Sequence, residues 1–400
     1  MFRLPASLVF LFFCCSPIFC SQTAAQTYLV LPFFNRSGSS NLDWIGESIG
    51  ESIRDTLASE GVLVVDRDDR IEVYRRLSIR QYAVLTRASV IQISESLDAD
   101  YVIYGDFDVS KPPEGQAATK GALQITAEVL DIKRLRKGPK FVESGALEDL
   151  ASLQSHLSWQ ALRFVLPKNA PTEDEFRQRR KPVRLDAIEN YVRGLLATTN
   201  QQKHRFFTQA ALLDPEYSAP CFQVGRLQFQ SKNYRSAIDW LQRVPEGDPN
   251  YREATFFLGL ARYYSGDFEG AERAFQQVAE TVPLNEVLNN LGVTQSRRNQ
   301  EAALENLKRA LEGDEADPVY HFNVGYVLWK RGQFDEAAER FRAVLERNAE
   351  DEDAEQLLAR CLKRSGPRPG DPQSDGLERL KDTYYETAWW QLKAMLQKSR

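Results

Sequence analysis

Residues 217–249 read YSAPCFQVGRLQFQSKNYRSAIDWLQRVPEGDP, and residues 251–283 read YREATFFLGLARYYSGDFEGAERAFQQVAETVP. Gly225, Ala237, Leu241 and Pro249 of the first stretch return as Gly259, Ala271, Phe275 and Pro283 of the second, each 34 residues on. The 12-residue step from Gly to Ala comes back in Gly325 and Ala337, followed by Phe341. A fixed period of this length marks a chain built by stacking one two-helix unit, because a single unit cannot bury its apolar face alone. The expected sterics are simple. A Gly in the first helix faces an Ala in the second so that the pair can approach, and the large apolar residue four positions after the Ala fills the space between units. The proline ends the second helix, because it lacks an amide donor and clashes with the preceding turn.

Two further stretches depart from the period. Residues 187–217 keep Gly194, Phe207, Ala210 and Pro215, and residues 285–317 keep Gly292, Ala303, Leu307 and Ala310 with an acidic GDEAD before Pro318. Asp353–Arg364 then reads as a solvating cap helix, with Leu357, Leu358 and Leu362 on one side. The array therefore spans 187–364, with about five units and a cap. This stretch closely resembles the tetratricopeptide repeat family. The resemblance implies an all-α superhelix of helix-turn-helix repeats, right-handed, whose concave face is formed by the first helices and receives a peptide or helix from a partner protein. The family's groove positions fall on Phe222, Arg226, Phe229, Phe256, Tyr263, Phe322, Tyr326 and Trp329. Chaperone-binding members clamp a terminal carboxylate there with Lys, Arg and Asn; only Arg226 and Asn289 are candidates in this chain, so no such clamp is expected. The repeat assigns its core to Val224, Leu258, Leu291 and Val324, so the aromatic row is expected to line a groove for an apolar or amphipathic segment.

A breaker-rich linker, SGPRPGDPQSDG at 365–376, leads to a final stretch, 377–400. Leu377, Leu380, Tyr384, Ala388, Leu392 and Leu396 recur there at helical spacing, which predicts an amphipathic helix. Tyr384, Trp389 and Trp390 give it a large apolar surface. The helix is expected to dock in the aromatic groove, to dock on the amino-terminal domain, or to mediate self-association; plain packing on the last repeat is the alternative.

At the other end, residues 1–25 read MFRLPASLVFLFFCCSPIFCSQTAA, with one early cation, an apolar run and a small-residue end, as in a secretory signal peptide cleaved after Ala25. The apolar run is short for a bilayer span. Membrane association stays open between this cleaved leader and a lipidated Cys14, Cys15 or Cys20, where bulky Phe13, Cys14 or Phe19 stands in place of the expected small residue. Export makes the periplasm the expected location. Beyond the leader only Cys221 and Cys361 remain, far apart in sequence and without metal-ligand spacing, so they read as buried free thiols.

Residues 26–167 alternate apolar strands with amphipathic helices, the texture of an α/β domain with a mixed sheet. Strands are expected at Tyr28–Phe34, Val62–Val65 and Tyr101–Phe107, a hairpin over Leu123–Ile132 and Lys140–Gly145, and helices at Asp43–Ser59, Ala88–Leu97 and Leu150–Val165. LPFFNRSGSSNLDWIGESIGESIRDTLASEGVLVVDRD, followed by LDADYVIYGDF, resembles the amino-terminal domain of TolB-like and CsgG-like bacterial envelope proteins. That resemblance implies assembly or adaptor work in the envelope; the long membrane hairpins and lipidated cysteine of the pore-forming members are not seen. Residues 168–186 read as a linker.

Hydrophobic residues make 42% and charged residues 27% of the 400, with a net charge of −5, so a globular chain without general attraction to nucleic acid is expected. The basic runs Lys133–Lys140 and Arg177–Arg184 read as solvated turn and linker. His156, His204 and His321 stand singly, and no HExxH, GxSxG or phosphate-cradling loop occurs, so no catalytic centre, metal or cofactor is expected. Asp66-Arg67-Asp68-Asp69 lacks the glycine and terminal Glu of a calcium loop and reads as a turn at a strand end. The expected function is a non-enzymatic periplasmic scaffold. The alternative is a ligand sensor whose α/β domain takes a small molecule or glycan at the loop Asn35–Ser40 and relays it through the repeats.

Overall fold

The computed structural model describes residues 26–110, 121–179, 183–368, 374–387 and 389–390. The expected leader, residues 1–25, and residues 391–400 of the expected final helix lie outside these.

The first domain runs β1 (Thr27–Val30), β2 (Phe34–Asn35), α1 (Asp43–Ser59), β3 (Leu63–Val64), α2 (Arg67–Arg76), α3 (Arg87–Glu95), β4 (Tyr101–Ser110), β5 (Ala122–Asp131), β6 (Arg136–Ala146) and α4 (Leu150–Val165). Its sheet has the order β3-β1-β4-β5-β6, with β2 paired to β4. β1 is parallel to β3 and β4, while β4, β5 and β6 are antiparallel, so the sheet is mixed. Helix α1 carries Ile45, Ile49, Ile53 and Leu57 at four-residue spacing, all fully buried on one face. They pack with α4 against Ile103, Phe107, Ile125 and Val129 of the sheet. Leu29, Leu31, Val102 and Leu130 on the other face meet Val73, Val90 and Ile93 of α2 and α3. Gly46 lets α1 approach the chain at Phe33, whose amide donates to the Gly46 carbonyl at 3.0 Å; a Cβ there would lie 2.0 Å from the Phe33 carbonyl oxygen.

One expectation in this domain is corrected. The run Asp66–Asp69 opens α2 instead of forming a turn, with Asp68 and Asp69 in the first turn and Arg75 and Arg76 in the last, complementing the helix dipole. Arg67 and Arg70 project from it onto Glu47, each donating at 2.7 Å. Burial alone would raise the Glu47 carboxyl, and the guanidiniums of Arg70 and Arg67 overcome it, holding Glu47 down at about 2.

Helix α5 (Glu173–Arg179) falls inside the stretch expected as linker, and its Phe176 is buried against the domain core. The repeats follow as five antiparallel helix pairs among the described residues: α6 (Leu185–Leu196) and α7 (Asn200–Leu213), α8 (Ala219–Gln230) and α9 (Tyr234–Leu241), α10 (Tyr251–Tyr264) and α11 (Phe268–Thr281), α12 (Asn285–Arg297) and α13 (Ala303–Gly313), α14 (Pro318–Lys330) and α15 (Phe334–Arg347); α16 (Glu352–Leu362) closes the array. One core joins Trp44, Leu57 and Leu157 of the first domain to Ile188, Tyr191 and Phe207 of the first repeat. Arg67 Nη2 donates to the Leu195 carbonyl at 3.1 Å across the same junction.

In two of the repeats the small residue is crowded most closely by the large apolar residue and not by the expected alanine. A Cβ at Gly225 would lie 2.5 Å from Leu241 Cγ, and one at Gly259 would lie 2.8 Å from the Phe275 ring. The glycine thus accommodates the large apolar residue of its own second helix, which fills the interior of the pair as well as the space toward the next unit.

Candidate functional site

The first helices α10, α12 and α14 present their inward faces to one groove, and that groove holds residues 374–387 of the same chain. The helix expected from Leu377 does not form at its start: residues 377–385 are neither helix nor strand, and among the described residues of the stretch helix begins at 386–387 and 389–390. Cause and site coincide, because the groove takes the hydrogen-bonding groups that a helix would need for itself.

Three asparagines make the seizure. Asn323 accepts from the Arg379 amide at 2.8 Å and donates to the Arg379 carbonyl at 2.7 Å. Asn290 repeats this on Lys381, accepting at 2.8 Å and donating at 2.7 Å. Asn289 donates to the Arg379 carbonyl at 3.0 Å and accepts from Asn323 Nδ2 at 2.7 Å. All three asparagines have no exposed surface. Asparagine is a poor helix former, so three of them buried at the middle of two helices are not explained by helix stability. They act on residues 379 and 381 alternately, the period of an extended strand.

Side chains read the segment as well. Glu378 is fully enclosed: Ser296 Oγ donates to it at 2.8 Å, with Lys330 Nζ at 3.6 Å and Arg297 at 3.8 Å. The Arg379 guanidinium lies 3.5 Å from the Phe322 ring centre and donates to both oxygens of Asp351 at 2.6 and 2.7 Å. Arg379 holds the Asp351 carboxyl below its usual range, helped by the Ala354 amide at the start of α16. Lys381 pairs with Asp317, which also caps α14 by accepting from Val319 N at 2.9 Å. The residues capping two helices are therefore the anionic half of the groove.

Toward the first domain, Tyr384 packs on Phe256 with ring centres 5.2 Å apart, and burial pushes its phenol well up. Glu386 accepts from Arg252 at 2.6 Å and from Trp390 Nε1 at 2.8 Å. Thr387 reaches Asp66 of the first domain at 3.5 Å. In the opposite direction the Tyr326 hydroxyl donates to the Ser374 carbonyl at 2.9 Å, and Trp329 Nε1 donates to the Ser365 carbonyl at 2.8 Å.

Of the residues expected to line the groove, Phe256, Phe322, Tyr326 and Trp329 therefore lie against this chain's own carboxy-terminal residues. Tyr263 is half-buried beside them, next to Leu380 in the same apolar clusters. Phe222 and Arg226 stand one repeat earlier, where Arg226 covers Phe222 and lies 3.5 Å from Glu253. Phe229 is turned between repeats, onto Tyr234, Phe257 and Tyr264. Trp389 is half-buried, with its Nε1 buried and without a hydrogen-bond partner. Sequence reading missed Asn290, Asn323, Ser296, Lys330, Asp317 and Asp351. One signal was available: Asn289 and Asn323 are separated by the repeat length and sit in helices where polar residues of poor propensity have no structural use.

The loop Asn35–Ser40 turns its polar groups on itself. Asn35 donates to Ser39 O at 2.8 Å and to Asp43 Oδ1 at 2.7 Å, and accepts from the Ser37 amide at 2.9 Å. Cys221 and Cys361 are buried free thiols. Among the described residues no cluster of His, Cys, Asp and Glu is arranged to hold a metal, and no helix is long and apolar enough to cross a membrane.

Residues 257–321 and 296–361 match tetratricopeptide repeat models, so the chain carries tetratricopeptide repeats. Among solved structures, YrrB, described as a tetratricopeptide repeat protein with an unusual peptide-binding site, is 21% identical, with 48% of this chain and 91% of that one covered and a TM-score of 0.36. MamA from Desulfovibrio magneticus RS-1 is 20% identical over 40% of this chain and 92% of its own, with a TM-score of 0.37. PilF of Pseudomonas aeruginosa is 15% identical over 41% and 76%, with a TM-score of 0.36. No curated protein matches the chain. Tetratricopeptide repeats typically mediate protein–protein interactions and are generally non-catalytic scaffolds.

Proposed function

We propose that this protein is a non-enzymatic scaffold that binds segments of partner proteins in the concave groove of its repeats. The observation that carries this reading is the hold of Asn323 and Asn290 on both main-chain groups of Arg379 and Lys381. Such contacts recognise any extended backbone, and flanking pockets then supply selection. The aromatic lining by Phe256, Tyr263 and Phe322 supports apolar side chains in the bound segment. The leader-like residues 1–25 support export to the periplasm, and the resemblance of residues 31–107 to TolB-like and CsgG-like domains supports service in envelope assembly, with the α/β domain as a second docking body.

In-cell photo-crosslinking tests the reading, with a photoreactive residue at Tyr263 in the groove or at Gln276, which is exposed on the second helix of the same repeat. A protein adduct from position 263 and none from 276 is the expected result. Adducts from 276 alone would move the binding face to the second helices. The mature amino terminus, read by mass spectrometry, is expected at Gln26.

A further inference from the structure

The occupant of the groove is selected by charge as well as by backbone. Glu378 goes to a closed site made by Ser296, Lys330 and Arg297, and none of its side chain is exposed. The next residue, Arg379, goes to an anionic site made by Asp351, under the Phe322 ring. Leu380 packs into the apolar clusters of the repeats, and Lys381 goes to Asp317. Exchanging the acid and the first base would bury a carboxylate beside Asp351 and a cation beside Lys330 and Arg297, a repulsive arrangement in a water-poor site.

The same segment is held without being part of the repeats. Its clamped main-chain groups bond to asparagine side chains, not to a sheet or helix of the array, so it can leave without breaking any helix. Tyr385, Asp382 and Thr383 on its outer side are exposed. Resting on the groove reading above, we infer that residues 374–387 are a built-in stand-in for a partner, and that the partner carries an extended segment of the order glutamate, arginine, apolar, lysine. That segment enters by displacing the stand-in. A tethered competitor works at about millimolar effective concentration, so only a segment matching both charge sites competes.

The test uses the full chain with Arg379→Glu and Lys381→Glu, which sets the tail against Asp351 and Asp317, with circular dichroism to confirm the fold. Fluorescence anisotropy then follows a labelled peptide of residues 374–387, and a second peptide carrying Glu378→Lys and Arg379→Glu. The variant is expected to bind the first peptide at least about 30-fold more tightly than the second. It is also expected to bind the first at least about 10-fold more tightly than the unaltered chain does. Equal binding of both peptides overturns the inference while leaving the groove a backbone binder. Binding of neither by the folded variant overturns the groove reading too. Equal affinity of variant and unaltered chain shows that the tail does not compete, and overturns the inference. If the unaltered chain forms dimers that the variant loses, the occupant is a second copy of this tail, and the separate partner is wrong. Should the charge reversals unfold the chain, cleavage of the unaltered protein at a protease site placed after Pro367, followed by chase with the two peptides, makes the same comparison.

Discussion

Asn323 holds Arg379 by its main chain, accepting from its amide at 2.8 Å and donating to its carbonyl at 2.7 Å, on a helix face with no exposure to solvent. Replacing Asn323 by Ala takes away the partner of the Arg379 amide and of Asn289 Oδ1 in a dry site, while the Arg379 carbonyl keeps Asn289. An unsatisfied buried group costs about 1–3 kcal/mol, so Asn323→Ala is expected to lose stability of that order in urea unfolding. A change within about 0.5 kcal/mol, the range of an indifferent surface substitution, would mean that water replaces the clamp.

The glycines of the repeat make a second prediction, in which two effects oppose each other. Gly225→Ala should gain about 1 kcal/mol from helix propensity. The new Cβ would lie 2.5 Å from Cγ of the buried Leu241 and 3.3 Å from its backbone nitrogen. Overpacking of this kind costs about 1–3 kcal/mol, so the net effect is expected to be destabilising. Gly247 has nothing within 4 Å of a built Cβ, and Gly247→Ala is the matched control, expected to be neutral in the same thermal melts. A Gly225→Ala protein more stable than the parent would contradict the packing account.

Acid and alkali should loosen the groove by different groups. Asp351 has its carboxyl lowered by Arg379 first and by the Ala354 amide. A depressed carboxylate stabilises the folded chain above its unfolded value near 3.8 and loses that contribution as pH falls through the folded value. Glu253 is the reverse case. Burial first, then the carboxylates of Asp66, Glu386 and Asp68, push it up to about 7 against the pull of Arg226. Its protonated form is favoured by the fold, so its contribution is present below the unfolded value of 4.5 and is lost as pH rises through about 7. Glu253→Gln is therefore expected to flatten the fall in melting temperature between about pH 5 and pH 8. An unchanged profile would remove Glu253 from that role.

These residues also show what a sequence reveals and what it withholds. The 34-residue return of Gly225 at Gly259 follows from steric demand within one helix pair, which is local and repeats, so it is legible. The bounds of α1 and α4 are legible for the same reason, since Ile45, Ile49, Ile53 and Leu57 form one apolar stripe. The conformation of Leu377, Leu380 and Tyr384 is not, although their spacing suits a helix. Asn289, Asn290 and Asn323, distant in sequence, outbid the segment's own helical hydrogen bonds, and spacing within a segment carries no trace of that competition. The start of α2 is hidden by a composition equally suited to a turn, and partners distant in sequence, Glu47 on α1 and the Leu195 carbonyl, explain why Arg67 and Arg70 are there.

The most direct test of the account is amide hydrogen exchange at Arg379 and Lys381 in the full-length protein, resolved by mass spectrometry or NMR. Both residues lie outside any helix or strand, yet both amides donate to buried asparagines at 2.8 Å. The account predicts slow exchange at these two amides, comparable to the helices around them, with faster exchange at the exposed Asp382 and Thr383. Exchange at the rate of an unstructured peptide at both 379 and 381 would contradict it, because the groove would then not be holding a backbone at all.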